Sequence, residues 1–306
     1  MSQNKFDVIG DIHGHAKVLR NLLSDMGYRE EGRVFRHPDR RVIFVGDFID
    51  RGPEQIDVLN IARGMCEAGT ALAVMGNHEF NALGWATPDG NGGFLRPHTS
   101  QNHGQHKEFL CQVSEGSDQY ASALAWFQTL PVWLDLPGLR IVHACWYGPA
   151  QQALLPHLDE GLRLTKQGLR EASRKGSKAY AAAEILLKGP EALLPDGRTF
   201  KDKQGDLRRE VRLRWWDTDA TTFPKAALGM DGDEEALPDL PVTTQYQYTE
   251  DVPVFFGHYW LKGMPIISGR NAACLDFSVA KEGYLTAYRW SGEASLSQEN
   301  IVYVKA

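Results

Sequence analysis

The chain has 306 residues, enough for one large domain or two small ones, and its 42% hydrophobic and 24% charged residues are ordinary for a globular protein with a sizeable core. A net charge of -6 argues against a general nucleic-acid binder, which needs a basic footprint for phosphates, but not against a small phosphorylated substrate, because cations can reverse the local sign of a site. Cys66, Cys111, Cys145 and Cys274 lack CxxC spacing, so neither a zinc ribbon nor a disulfide framework is indicated, and no apolar run reaches the length of a membrane span.

The first residues, Met1 to Asp11, enter a strand at once, without a basic segment leading into an apolar one, so a cytoplasmic protein is expected. Three short apolar runs that end in glycine follow: Phe6 to Gly10, Val42 to Gly46 and Ala71 to Gly76. Each reads as a strand buried on both faces. Between them, Val18, Leu19, Leu22, Leu23 and Met26 mark one helix from near His15, and Ile56, Leu59, Ile61, Ala62 and Met65 mark another after Pro53. This alternation implies a largely parallel sheet with crossovers. Further strands are expected at Leu139 to Val142, Val254 to Phe256, Met264 to Ile267, Ala272 to Phe277 and Tyr284 to Tyr288, the last three as an antiparallel meander. Residues 151–188 favour helix, 189–215 carry turn signals, and Asp231 to Asp239 reads as a loop or linker.

Glycine-bounded segments stand after the first three strands: Gly10-Asp11-Ile12-His13-Gly14, Gly46-Asp47-Phe48-Ile49-Asp50-Arg51-Gly52 and Gly76-Asn77-His78-Glu79. Each is weak alone, since Asp-x-His is commonly a turn, Gly-Asn-His an Asn turn, and Asp50-Arg51 a local ion pair. Loops at the carboxyl ends of parallel strands converge on one crevice, however, and together these place oxygen and imidazole donors there without a thiolate. That set suits manganese, iron, zinc or magnesium.

These segments resemble the signature of the calcineurin-like metallophosphoesterases, in particular the phosphoprotein phosphatase branch and bacterial relatives that include the symmetrical diadenosine tetraphosphate hydrolases. The likeness is strong over roughly the first 80 residues and scattered beyond. It implies two further histidines at strand ends, and His143 and His258 stand there; alone, each would read as a core or rim histidine. It implies one divalent metal ion held by Asp11, His13 and Asp47 and a second held by Asp47, Asn77, His143 and His258, with Asp47 bridging and manganese the first choice of metal. It implies hydrolysis by a metal-bridging hydroxide, with His78 protonating the leaving group, Asp50 orienting His78, and Arg51 gripping phosphate. A second phosphate-binding arginine is Arg212 or Arg214, Arg214 being favoured; otherwise both belong to a strand facing solvent. The fold implied is an α/β sandwich of two mixed sheets flanked by helices, one domain over residues 1–306, with an inserted helical cap and loop at about 151–235.

His98, His103 and His106 lie in a Gly/Asn-rich stretch from Gly84 to Gly104, expected as a flexible loop over the active-site mouth, with a third metal site as the alternative. Trp85, Trp126, Trp133, Trp146, Trp215, Trp216 and Trp260 are expected mostly in the core or at the rim, where one could stack on a nucleobase or a tyrosine ring. Three functions follow: hydrolysis of phosphomonoesters on proteins or small molecules, hydrolysis of dinucleoside polyphosphates, or metal and phosphate binding without turnover. The last is disfavoured, since a pure binder needs no positioned acid. No nucleic-acid duplex or membrane is expected as a partner.

Overall fold

The computed structural model describes residues 5–201, 207–230 and 232–306; the first four residues, part of the turn-rich 189–215 segment, and Asp231 of the expected linker lie outside them. Its centre is a sandwich of two sheets. In the first, Lys5–Ile9 runs parallel to Arg40–Phe44, which runs parallel to Ala71–Ala73, and Tyr284–Trp290 lies antiparallel to Lys5–Ile9. Ile301–Lys305 and Asp276–Phe277 complete it by pairing with Tyr284–Trp290. In the second, Val254–Phe256 runs parallel to both Leu139–Val142 and Ala272–Cys274, with Trp133–Leu136 antiparallel at the edge.

Period-two alternation decides what each face buries. Phe6, Val8, Ile43 and Val45 point between the sheets, where they meet Leu139, Ile141, Phe255 and Ala273. Their neighbours Ile9, Val42 and Phe44 point outward onto the helices Ala16–Asp25 and Gln55–Glu67, whose Leu19, Leu22, Val58 and Ile61 complete that layer. With apolar side chains needed on both faces, these strands show the continuous hydrophobic runs seen in the sequence.

Two expectations are corrected. Met264 to Ile267 forms no strand: Pro265 has no amide to donate, and Met264 and Ile266 are exposed, at 52% and 58%. Residues 272–277 keep only part of the expected meander: Asp276–Phe277 pairs antiparallel with Tyr284–Trp290, but Ala272–Cys274 lies in the other sheet, and the chain crosses at Leu275, whose amide donates to the Phe256 carbonyl. The strands Trp133–Leu136 and Ile301–Lys305 were not among the expected elements.

The segment after His143 does contain helices, Gly148–Leu154, Lys166–Ser173 and Lys178–Lys188. It also carries a small antiparallel sheet of Glu191–Leu193, Glu210–Leu213 and Ala227–Leu228, with its own core around Val211, Leu213, Phe223 and Met230, so it is not purely helical. The Trp215 indole donates to the Ala144 carbonyl and ties this unit to the loop after His143.

Candidate metal centre

Register aligns Ile9 with Phe44 and Phe44 with Ala73, so the three glycine-bounded loops open at one end of the first sheet. The loops after Leu139–Val142 and Val254–Phe256 reach the same place, since the amide of Gly257 donates to the His143 carbonyl and the amide of His258 to Asp11 Oδ2. His13, Asp47, Asp50, Arg51, His258 and Trp260 all adopt left-handed φ, between 46° and 75°. Such backbone costs energy for a residue with a Cβ and concentrates where side chains must be aimed.

Asp47 lies at the middle, fully buried, with Oδ2 3.4 Å from His143 Nε2, 3.6 Å from His13 Nε2 and 3.9 Å from His78 Nε2. Donor atoms form two compact trios that share it: His13, Asp47 and His78, and Asp47, His143 and His258. Asn77 joins the second through Oδ1, 2.7 Å from His258 Nδ1 and 3.1 Å from His143 Nε2. Asp11 belongs to neither trio; one of its oxygens accepts the His258 amide at 2.9 Å and the other, Oδ1, has no hydrogen-bond partner.

Four buried atoms here lack hydrogen-bond partners: Asp11 Oδ1, His13 Nε2, Asp47 Oδ2 and His258 Nε2. Buried polar atoms are ordinarily satisfied, so a group of orphans with lone pairs fits bound cations. Ring orientation agrees: His13 Nδ1 donates to the Ile49 carbonyl at 3.0 Å and His143 Nδ1 to the Val45 carbonyl at 2.8 Å, which leaves each Nε2 for a ligand role. Burial and the neighbouring His78 push His13 down to about 4. Burial, Arg212 and His143 hold His258 well below the imidazole range. Both are thereby kept neutral, as metal ligation requires. Burial, Asp276 and Asp47 raise Asp11, whereas His143, His78 and His13 overcome burial and hold Asp47 low.

Two further carboxylates brace the site. Glu79 accepts the amides of Asp47, Phe48 and Gly76 and is pushed up to about 7 by burial and Asp47. Asp276 accepts the amides of Trp260 and Ser278 and is raised by burial. Neither was assigned a role from sequence; the signal for Asp276 is an acid inside an otherwise apolar run, Cys274-Leu275-Asp276-Phe277.

His78 Nδ1 meets Asp50 Oδ2 at 2.5 Å, and His106 Nδ1 meets Asp50 Oδ1 at 2.8 Å. Burial opposes a charge on Asp50, but hydrogen bonds from His106 and His78 hold its carboxyl below the usual range. His78 is itself raised: burial lowers it, and Asp47 and Asp50 more than compensate. Sequence reasoning missed this role of His106. The stretch expected as a flexible loop is helical at both ends, with Asn77–Ala86 before it and Ser100–Gln112, which carries His106, after it. His98 packs between Trp85 and Phe94 with ring centroids 3.6 and 4.0 Å away. Among the described residues none of the three joins a metal-holding group.

Arg51 is exposed, its guanidinium 5.5 Å from the Trp260 ring, and Lys281 lies 5.0 Å from the same ring. Both line a cavity of about 310 Å³ with Lys107 and Glu108, and Trp260 joins it to the metal-site residue His13 at a centroid distance of 5.4 Å. Of the two candidate arginines, Arg212 is the one whose charge adds to burial in lowering His258. Arg214 instead donates its amide to Ala226, and its Nε is buried without a hydrogen-bond partner.

The sequence profile of the calcineurin-like phosphoesterases matches residues 5–159, half of the chain, and the chain belongs to that family. Over 75 residues it is 41% identical to the asymmetrical bis(5'-nucleosyl)-tetraphosphatase PrpE of Halalkalibacterium halodurans, covering 24% of this chain and 30% of that protein. Over 74 residues it is 39% identical to the protein of the same name from Bacillus subtilis, with the same coverage. The chain thus spans under a third of the length of these curated relatives. A crystal structure provisionally described as a diadenosine tetraphosphatase superposes with a TM-score of 0.50 and 16% identity, over 99% of this chain and 94% of that one, a likeness of fold.

Proposed function

We propose that the chain hydrolyses phosphomonoesters, on proteins or small molecules, at a pair of divalent cations held by Asp11, His13, Asp47, Asn77, His143 and His258. The observation that carries this is the buried Asp47 between His13 on one side and His143 and His258 on the other, with Asp11 Oδ1, His13 Nε2, Asp47 Oδ2 and His258 Nε2 all buried and orphaned. When bound, such a pair supplies Lewis acidity and acidifies a water to near neutrality. His78, kept protonated by Asp47 and Asp50, donates a proton to the leaving oxygen. Arg51 offers paired donors to the phosphoryl oxygens, and Arg212 or Arg214 is the second arginine, Arg212 being the one whose charge reaches His258. Asp276 and Glu79 hold the loop amides, so that these side chains are aimed before substrate arrives. The whole chain is read as one domain in which the unit at about 151–235 selects what enters. We place it in the cytoplasm, with manganese the first metal to test.

Hydrolysis of dinucleoside polyphosphates is the second reading. It is favoured by the names of the tetraphosphatase relatives and by the cavity beside Arg51, where Lys107 and Lys281 outnumber Glu108 in a chain that is acidic overall. The test is hydrolysis by manganese-loaded protein of p-nitrophenyl phosphate, phosphopeptides and diadenosine tetraphosphate. Metal-dependent turnover with the highest kcat/KM on a monoester supports the first reading. A preference for the tetraphosphate transfers the function to the second, and no turnover on any of them contradicts both.

A further inference from the structure

Asp50 has little freedom left. Its backbone is left-handed, its amide donates to Gln55 Oε1 at 2.7 Å, and one carboxylate oxygen is taken by His78. What remains is rotation of the carboxylate, and the second oxygen decides it. His106 Nδ1 holds that oxygen at 2.8 Å, with both side chains no more than 5% exposed. The His106 ring has no other polar contact among the described residues, since Nε2 is buried without a partner and the ring packs on Phe109 and Trp85. The helix bearing His106 is anchored to the same loop region through Gln112, whose Oε1 accepts the Gln55 amide at 2.9 Å.

We infer that His106 is a positioning residue for the leaving-group acid, locking the Asp50 carboxylate in the rotation that faces His78. The inference rests on His78 being that acid. An ionised carboxylate only accepts, so both histidines donate from Nδ1, and His106 carries its proton there. Without that donor, Asp50 Oδ1 is left buried and unpaired, a state that favours rotation or protonation and slackens the grip on His78.

Two side chains separate this role from simple packing. The amide nitrogen of Asn can take the place of His Nδ1, and that of Gln the place of Nε2. We therefore expect His106→Asn to behave as wild type and His106→Gln to fail selectively. The readout is the dependence of kcat on leaving-group pKa over aryl and alkyl phosphates, with manganese-loaded protein. His106→Gln should lose roughly tenfold more on alkyl phosphates than on p-nitrophenyl phosphate, because only a poor leaving group needs the acid, and His106→Asn should restore the wild-type ratio. Equal ratios in all three proteins, or equal defects in both variants, overturn the inference. A measurement on wild type alone gives an independent check that survives misfolding of either variant. Nitrogen NMR should find His106 as the Nδ1–H tautomer or doubly protonated, whereas the Nε2–H tautomer overturns the assignment. Absence of metal-dependent hydrolysis in wild type counts instead against the function, leaving the tautomer result to stand by itself.

Discussion

His78 follows Asn77 at the start of the helix Asn77–Ala86, so one turn of backbone delivers a metal-ligand candidate and an acid candidate to the same centre. Because the two side chains leave adjacent positions, they can be separated by mutation. We expect His78→Asn to retain bound metal and to lose roughly a hundredfold or more in kcat on alkyl phosphates, the range typical of a general acid. Steady-state kinetics beside elemental analysis checks this, and unchanged turnover with metal intact removes His78 from the role. Residues such as Asp11, His13, Asp47, Asn77 and His78 were legible in sequence because each lies directly after a strand and is bounded by glycine. At Gly76, for example, a Cβ would stand 2.2 Å from Asp47 Oδ1. His106 was not legible, because its meaning comes from a contact across 56 residues and its own neighbourhood reads as polar loop. Arg212 and Arg214 could not be separated by periodicity, as two residues apart on a strand share a face; the strand ends at Leu213, and the chain turns before Arg214 can follow.

At the scale of elements, the central strands were legible from their apolar runs, yet Asp7 stands within one of them, fully buried. Its carboxylate accepts from Arg40 Nε at 2.9 Å, Arg289 Nε at 3.1 Å and the Tyr28 hydroxyl at 2.9 Å, and so ties together three parts of the chain. Removing one member of a buried ion pair leaves the other uncompensated. We therefore expect Asp7→Asn to lower unfolding free energy by about 3 kcal/mol, measured in urea, with little change in the candidate metal centre at the far end of the strand. A loss below ~1 kcal/mol would show that Arg40 and Arg289 find water instead. Edge elements were the least legible. Trp133–Leu136 is short and carries an exposed Asp135, and Ile301–Lys305 is defined by its ladder with Tyr284–Trp290 rather than by burial. Met264 to Ile267 shows the converse, a run of strand-like residues that pairs with no strand among the described residues and is held instead by the Gln298 side chain.

At the scale of the whole molecule, an acidic chain presents a basic cavity beside its candidate metal centre, and that contrast should act on substrates according to charge. Lys281→Glu is expected to raise KM for diadenosine tetraphosphate roughly tenfold more than for p-nitrophenyl phosphate at low ionic strength, with the difference shrinking as salt is added. An equal effect on both substrates would place the cavity outside the substrate path. Thiol chemistry reports on the packing of the same molecule. Burial raises the thiols of Cys145 and Cys274 and pushes Cys66 up to about 12, so at neutral pH their reactive thiolates are scarce, whereas Cys111 is exposed. Iodoacetamide at pH 7 should therefore label Cys111 first, as peptide mapping by mass spectrometry will show; early labelling of Cys145 or Cys274 would contradict the described core. Among the described residues no helix is long and apolar enough to cross a membrane, and the proposed pair of cations depends on Asp47, the side chain that both donor trios share. Metal content after manganese loading and extensive dialysis tests that most directly. Two equivalents per wild-type chain, falling below one in Asp47→Ala together with loss of hydrolysis, is the predicted result, and a wild type that retains no metal, or an Asp47→Ala variant that retains both ions, would contradict it.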